Sequence, residues 1–248
     1  MKAIILAAGQ GTRIRNAHGE HPKCLIRFNR SNWTILDQQL DCLFEAGVEE
    51  ICIVVGYEKE QIVRHVNQHY RQRLRRIRFI ENPAFAVTNN IYSLWQAREW
   101  VQGCAFVCLN ADVVFDVQSL TPALDSAAPV TMIVDPEWRD ETMKVITRNG
   151  RVVRMDKKIT REEFSGTYIG ITAFAAQTHG PLFERIGRLI ENGRSDVFFN
   201  VAVQELADEG VHVAYTQTSK AWAEIDDAGD LRFARERIFP LLAPASAA

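Results

Sequence analysis

Short continuous runs of hydrophobic residues alternate with amphipathic helical patterns along the first half of the chain. Continuous apolar runs are typical of strands that are buried on both faces of a sheet. They predict strands over residues 2–8, 50–55, 76–80 and 104–109. Apolar residues at helical spacing predict helices over residues 35–46, 58–70 and 90–101. This alternation predicts an α/β fold with a doubly wound, mostly parallel sheet.

The second half of the chain mixes short strand patterns with helical ones. Strands are predicted over residues 130–134, 144–147, 152–155, 166–174 and 211–216. Helices are predicted over residues 182–191, 197–208 and 231–239. Asn149-Gly150 predicts a tight hairpin turn between two of these strands. We predict one domain over residues 1–242 with a small inserted β-rich subregion over the rim of the sheet, and a frayed tail over residues 243–248.

Composition narrows the class of protein and its partners. The chain has 248 residues, a formal net charge of −2 and 47% hydrophobic residues. A balanced charge gives no electrostatic reason to expect nucleic acid or a membrane surface as a partner. The five cysteines form no C-x-x-C pair, and the N-terminal apolar run is too short for a signal peptide or a membrane span. These features predict a cytoplasmic protein with reduced thiols.

A glycine loop follows the first predicted strand. Gly9 and Gly11 allow close approach of an anion to backbone N–H groups, and Arg13 adds a guanidinium directly after them. The loop matches neither the Walker pattern nor the dinucleotide fingerprint. It predicts a phosphate-binding loop, and a tight turn with a surface arginine is the alternative. Asp112 also follows a predicted buried strand, so we expect the loop and Asp112 to meet at one rim of the sheet.

The loop and its surroundings resemble the signature of the nucleotidyltransferases that activate sugar phosphates and related small phosphates. The matching positions are Leu6, Ala7, Ala8, Gly9, Gly11, Thr12, Arg13, Pro22 and Lys23. Between Arg15 and Pro22 the chain departs from the family pattern, because Asn16 and His18 stand where many relatives have proline and threonine. The departure leaves the nucleotide preference open.

The resemblance also implies metal ligands and catalytic groups. Asp112 resembles the first metal-binding aspartate of the family, and Glu224 and Asp226 resemble its second acidic motif. Glu224 and Asp226 are two residues apart, so an extended backbone points both to one side, where they and Asp112 offer oxygen ligands to Mg²⁺. The alternative is an acidic cluster at a helix N-terminus. Lys23 is implied to stabilise charge near the α-phosphate, and Arg13 to hold the β- and γ-phosphates.

A middle segment, Asn89-Asn90-Ile91-Tyr92-Ser93-Leu94, resembles a narrower branch, the cytidylyltransferases that act on phosphocholine, 2-aminoethylphosphonate and inositol phosphate. Asn89, Asn90 and Ser93 are expected either to face the nucleotide or only to cap a helix. The nucleotide-binding residues implied by the resemblance are Leu6, Ala7, Ala8, Gly9, Gly11, Thr12, Arg13, Lys23, Asn89, Asn90, Ser93 and Ala111.

The acceptor side is expected to lie in the β-rich subregion. Lys144, Lys157, Tyr168 and Gly170 are the candidate acceptor-binding residues, although either lysine is also compatible with a solvent-facing position. The resemblance implies a CTP-dependent transfer of CMP to phosphocholine or 2-aminoethylphosphonate, with a homodimer left open. The alternatives are a nucleotidyltransferase for a sugar 1-phosphate or inositol 1-phosphate that uses CTP, UTP or another nucleotide, and a nucleotide-binding regulator without turnover.

Overall fold

The computed structural model describes residues 1–14, 19–28 and 33–242. Asn16, His18 and the predicted tail at 243–248 lie outside the described residues. The strands are β1 Lys2–Ala7, β2 Glu50–Val55, β3 Ile77–Glu81, β4 Phe106–Asn110, β5 Val113–Phe115, β6 Val130–Asp135, β7 Lys144–Arg148, β8 Arg151–Asp156, β9 Gly166–Phe174, β10 Val213–Gln217 and β11 Trp222–Glu224.

The central sheet runs in the order β10-β6-β9-β4-β1-β2-β3. Its pairs β1–β2, β1–β4, β2–β3 and β6–β10 are parallel. Strand β9 is antiparallel to both β4 and β6, and the β7–β8 hairpin pairs with the beginning of β9. At the hairpin turn Asn149 and Gly150 both have positive φ, as a tight two-residue turn requires. The predicted mostly parallel sheet is therefore confirmed.

Helices cover both faces of this sheet. They are α1 Ile35–Glu45, α2 Lys59–His69, α3 Asn90–Gln96, α4 Thr121–Leu124, α5 His179–Glu191, α6 Asn200–Asp208, α7 Ala228–Phe233 and α8 Phe239–Leu242, with a π-helical stretch at Ala234–Ile238. Because successive side chains of a strand point to opposite faces, Ile5 of β1 packs with α1 and α2, whereas Ile4 packs with α3, α5 and α6. The doubly wound arrangement is confirmed.

Several bounds differ from the sequence predictions by two or three residues, and three differences are described here. Helix α3 ends at Gln96 rather than at residue 101, because the N–H groups of Ala97 and Arg98 bond to carbonyls three residues earlier. The predicted last helix begins at Ala228 rather than at residue 231, because Asp227 and Asp230 form a capping box. Strands β5 and β11 form a small antiparallel sheet that the sequence patterns did not indicate.

No helix in the described ranges is both long and apolar enough to span a membrane. The assignment of residues 1–242 to one domain stays a prediction.

Candidate active site

A cavity of about 330 Å³ lies at the carboxyl ends of β1 and β4, the neighbouring strands that lead into the glycine loop and into Asp112. The two segments therefore meet at one rim of the sheet, as expected from the topology. The cavity wall includes nearly all of the residues singled out from the sequence, namely Leu6, Ala7, Ala8, Gly9, Gly11, Thr12, Arg13, Lys23, Asn89, Asn90, Ser93, Ala111, Asp112, Lys157, Tyr168, Gly170, Glu224 and Asp226. Lys144 is missing from this wall.

Two basic side chains of the loop region contact the acidic cluster, which consists of Asp112, Glu224 and Asp226. Lys23 begins a short 3₁₀ turn after Pro22, and its Nζ lies 2.9 Å from Asp112 Oδ2 and 2.6 Å from Asp226 Oδ1. The Arg13 guanidinium lies 2.8 Å from the other oxygen of Asp226. Charge-assisted bonds of this length fix the positions of both partners. The glycine loop, the lysine and the acidic residues thus form one connected cluster.

The small β5–β11 sheet positions the acidic residues beside Asp112. Glu224 stands opposite Val113 in this pairing, and the N–H of Ile225 donates to the carbonyl of Asp112 at 3.0 Å. Asp112 itself lies on a turn that hydrogen bonds from Gln39 of α1 stabilise. The buried Gln39 amide donates to the carbonyl oxygens of Asn110 and Val113 at 2.8 and 2.7 Å.

The three carboxylates fit the requirements of a divalent cation. One oxygen from each of Asp112, Glu224 and Asp226 lies within 4.8 Å of the other two. Asp112 Oδ1 is buried and has no hydrogen-bond partner among the described residues, which is costly unless a ligand binds there. Carboxylate oxygens are the ligands that Mg²⁺ prefers. The donor set therefore suits this metal.

The proximity of like charges perturbs the ionisation of the cluster. Burial, together with the charges of Asp112 and Asp226, raises the pKa of Glu224 from 4.5 to about 8. Burial opposes ionisation of Asp226 as well, but Lys23 and Arg13 lower its pKa below the usual value. Burial likewise disfavours the charged form of Lys23, yet its two aspartate partners raise its pKa above normal. Lys23 therefore remains a cation, while Glu224 holds a proton near neutral pH unless a cation binds.

Two glycines in the site have conformations that favour glycine. Gly11 has φ of +58°, and a Cβ there would lie 3.4 Å from Lys23 Cβ. Gly170 has φ of +86°, and a Cβ would lie only 2.8 Å from Val113 Cγ2. A side chain at Gly170 would therefore press against the β5–β11 sheet and the turn that carries Asp112.

Several side chains of the segment at residues 89–94 form hydrogen bonds within the protein. Asn89 Oδ1 accepts the N–H of Asn90 at 2.8 Å and caps α3, as the capping interpretation expected. Asn90 Oδ1 accepts the N–H of Phe199 at 2.8 Å, and its Nδ2 lies 3.3 Å from Asn110 Oδ1. Ser93 Oγ accepts from Asn82 at 3.1 Å. Asn90 therefore joins α3, the end of β4 and the segment that begins α6.

The structure does not bring Lys144 into the cavity, contrary to its expected place at the acceptor. Its side chain is buried, and Nζ donates to the carbonyls of Thr142 and Lys157 at 3.1 and 3.4 Å. The ammonium also lies 4.6 Å from the centre of the Trp138 ring. Burial lowers the pKa of Lys144, despite the opposing charge of Asp140. Lys144 thus supports the chain segment that carries Lys157.

The cavity wall also contains residues that sequence reasoning did not select: Cys24, Asn82, Phe85, Thr88, Asn110, Met143, Phe198 and Asn200. Phe85 could be selected only once the fold was known, because it packs against Gly56: a Cβ on this glycine would lie 2.7 Å from Phe85 Cβ. Asn200 belongs to a segment whose helix was predicted to begin at residue 197, which gave no sign that this side chain faces a cavity.

A phosphate-type glycine loop beside a lysine and three clustered carboxylates defines a site suited to transfer of a phosphate-linked group. The family model described as the MobA-like NTP transferase domain matches residues 3–155. The chain belongs to this family, and the prediction that it is a nucleotidyltransferase is confirmed.

Individual relatives agree with this assignment. The chain is 24% identical to the CTP:phosphoglutamine cytidylyltransferase of Campylobacter jejuni, over 96% of this chain and 100% of that protein. It is 27% identical to the 2-aminoethylphosphonate cytidylyltransferase of Lancefieldella rimae, over 92% and 89%. The solved CTP:phosphocholine cytidylyltransferase of Streptococcus pneumoniae superimposes with a TM-score of 0.77 at 24% identity, covering 95% of this chain and 97% of that one, which confirms the fold. The resemblance to the cytidylyltransferase branch is thereby confirmed.

Proposed function

We propose that this protein is a cytidylyltransferase that transfers CMP from CTP to a small phosphate or phosphonate acceptor and releases pyrophosphate. The observation that carries the proposal is the contact of Lys23 with Asp112 and Asp226 at the end of the glycine loop. Relatives that act on phosphoglutamine and 2-aminoethylphosphonate, and that cover nearly the whole chain, support CTP as the donor.

The reaction forms one P–O bond and breaks another. An oxygen of the acceptor's phosphate or phosphonate attacks the α-phosphorus of CTP, and the bond to the β-phosphate breaks. The attacking oxygen is already anionic, so no residue has to remove a proton. Catalysis then depends on alignment and on neutralisation of negative charge.

Each part of the site has a role in this scheme. Lys23 donates to an oxygen of the α-phosphate, and its raised pKa keeps it charged throughout the working pH range. Arg13 and the amides around Gly9 and Gly11 bind the β- and γ-phosphates. Asp112, Glu224 and Asp226 would hold Mg²⁺, which when bound supplies positive charge against the phosphates.

The binding of phosphate groups requires an exchange of ion pairs. Arg13 and Lys23 contact carboxylates in the ligand-free arrangement, with Asp226 common to both. Phosphate oxygens therefore replace carboxylate oxygens as the partners of these cations when the nucleotide enters.

The five cysteines, which form no C-x-x-C pair, support a cytoplasmic location with reduced thiols. The homodimer stays a prediction.

Pyrophosphate release tests the proposal. Wild-type protein is incubated with Mg²⁺, with each of CTP, UTP, GTP, ATP and dTTP, and with acceptors that include phosphocholine, 2-aminoethylphosphonate, inositol 1-phosphate and glucose 1-phosphate. CTP with a small phosphate or phosphonate should give turnover. Turnover confined to another nucleotide with a sugar 1-phosphate would overturn the proposal. Binding of CTP without product in any combination would instead favour a regulator.

A further inference from the structure

One buried amide of α1 holds the turn that carries Asp112. The side chain of Gln39 is fully buried, and its nitrogen donates to the carbonyl oxygens of Asn110 and Val113 at 2.8 and 2.7 Å. Asp112 lies between these two residues in the chain. Because both partners are carbonyl oxygens, the nitrogen of the amide must face them. Gln39 therefore fixes the main chain on both sides of a candidate metal ligand.

The strand that follows Asp112 has an edge that no neighbouring strand covers among the described residues. On the side of β11, the carbonyl of Asp112 accepts the N–H of Ile225. The carbonyls of Val113 and Phe115 bond instead to side chains of α1, at the opposite edge of β5. Buried main-chain groups need partners, so α1 supplies at this edge what a strand would otherwise supply.

The neighbouring glutamine of α1 provides an internal comparison. Gln38 is also buried, and its amide both donates to the carbonyl of Phe115 and accepts the N–H of the same residue. Phe115 is the last residue of β5, beyond the turn that carries Asp112. Two adjacent, equally buried glutamines thus bind the same strand, but only Gln39 bonds to the turn.

The oxygen of the Gln39 amide has no comparable partner. Oε1 is buried, and none of the described residues forms a hydrogen bond with it. A buried acceptor without a partner lowers stability. Arrangements that are unfavourable for stability are typical of places where function requires them. The amide is therefore retained for the two bonds of its nitrogen, which hold the turn.

We infer that Gln39 is a positioning residue for the metal site, which places the Asp112 carboxylate and so sets the affinity of the site for Mg²⁺. The inference rests on the proposed function and adds to it a determinant of metal affinity behind the cavity. Gln39 does not belong to the cavity wall, so it acts through the main chain of the turn. Groups that orient metal ligands typically change metal affinity by about tenfold to a hundredfold when they are removed.

Titration of nucleotide-free protein with Mn²⁺ tests this role without turnover. Mn²⁺ prefers the same oxygen ligands as Mg²⁺, and electron paramagnetic resonance measures the free ion. Gln39→Met keeps the length of the side chain but removes both donors, and it should raise the Kd for Mn²⁺ by about tenfold or more. Gln39→Leu also lacks the donors and replaces Gln39→Met if that variant does not fold.

Gln38→Met is the matched control. It makes the same chemical change at the adjacent buried position and also removes a bond to β5, so it reports the general cost of weakening this edge. Its Kd for Mn²⁺ should stay within about threefold of wild type, well below the change expected for Gln39→Met. Urea denaturation of both variants measures their stability separately from metal binding.

The Mg²⁺ dependence of turnover gives a second readout. Gln39→Met should need about tenfold more Mg²⁺ than wild type for half-maximal turnover, and saturating Mg²⁺ should restore much of kcat. The KM for the acceptor at saturating Mg²⁺ should be unchanged, because Gln39 lies outside the cavity wall. A purely structural role would lower kcat without this recovery.

Two results would overturn the inference. One is a Kd for Mn²⁺ in Gln39→Met that equals that of wild type, and the other is an equal loss of Mn²⁺ affinity in Gln39→Met and Gln38→Met. Protein that loses Mn²⁺ affinity only in Gln39→Met, but whose wild type never releases pyrophosphate, would overturn the proposed function and leave the role of Gln39 in metal binding intact.

Discussion

Lys23 Nζ lies 2.6 Å from Asp226 Oδ1, although 203 residues separate the two in the chain. This contact connects the amino-terminal loop to the acidic motif that precedes α7. Removal of one partner of this partly buried ion pair destabilises the cluster, because the other charge loses part of its compensation. Lys23 therefore serves the folded cluster as well as the proposed reaction.

Replacement of Lys23 should separate these two roles. In Lys23→Ala we expect kcat to fall by about a hundredfold to a thousandfold, the effect of removing one charged donor from a developing oxyanion. Circular dichroism should show an intact fold. Lys59→Ala is the matched control, since Lys59 forms a comparable 2.7 Å ion pair with Glu81 at the surface. Activity close to wild type in Lys23→Ala would mean that the reaction centre lies elsewhere.

Asp112 should be required for the effect of metal on nucleotide binding. Asp112→Ala removes one of the three candidate carboxylate ligands, and with it the oxygen that is buried without a partner. We expect turnover to be abolished, and the Mg²⁺-dependent rise in melting temperature with CTP to be lost. The exposed residue Asp125 provides the control variant, Asp125→Ala. If CTP still raised the melting temperature of Asp112→Ala, and did so only in the presence of Mg²⁺, the assignment of Asp112 as a metal ligand would be contradicted.

Glu224 should make the metal-free protein less stable as the pH rises. Its pKa is about 8 in the folded protein and 4.5 ordinarily, so between these values the folded state binds more protons than the unfolded state. The free energy of unfolding therefore falls as the pH rises from 4.5 to about 8. The contribution of Glu224 to stability is fully present only below pH 4.5. Glu224→Gln removes this titration. The free energy of unfolding of the variant minus that of wild type should therefore increase by on the order of 3 kcal/mol from pH 5 to pH 8.

Denaturant titrations in chelator-containing buffer at several pH values measure this difference. Glu191→Gln, at an exposed position, should show no such trend. If the difference between wild type and Glu224→Gln were the same at pH 5 and pH 8, Glu224 would not be protonated in the folded state.

Gly170 should be required by the packing beneath the site. Alanine there would have φ of +86° and place its Cβ 2.8 Å from Val113 Cγ2. We expect Gly170→Ala to lower the free energy of unfolding by about 1–3 kcal/mol, measured by urea denaturation. In contrast, Gly180→Ala in α5 meets nothing within 4 Å and should not destabilise the protein. Equal stability of the two variants would contradict the close packing described for Gly170.

Much of the fold could be predicted because strands that are buried on both faces of the central sheet are rich in apolar residues. The predicted bounds of β2 and β9 coincide with the observed Glu50–Val55 and Gly166–Phe174. The three-residue strands β5 and β11 are too short to give any periodic signal, and their pairing depends on long-range contact. This unpredicted sheet is the element that brings Glu224 next to Asp112.

Some residues of the candidate site could likewise be predicted from the sequence, and others could not. Residues on the glycine loop and at strand ends, such as Arg13 and Asp112, could be selected because sheet topology alone brings them together. The orientation of Lys144 could not be predicted, since a lysine that opens a strand faces either side depending on register. Gln39 and Asn200 could not be selected either, because their importance lies in contacts that only the folded chain creates.

Phosphorus NMR of a complete reaction tests the central claim most directly. Wild-type protein, CTP, Mg²⁺ and an acceptor that gives turnover are followed until the nucleotide is consumed. We predict one pyrophosphate for each acceptor consumed, with a new pair of coupled resonances from a phosphoanhydride that joins CMP to the acceptor. Formation of CDP without loss of the acceptor resonance would contradict nucleotidyl transfer by this site.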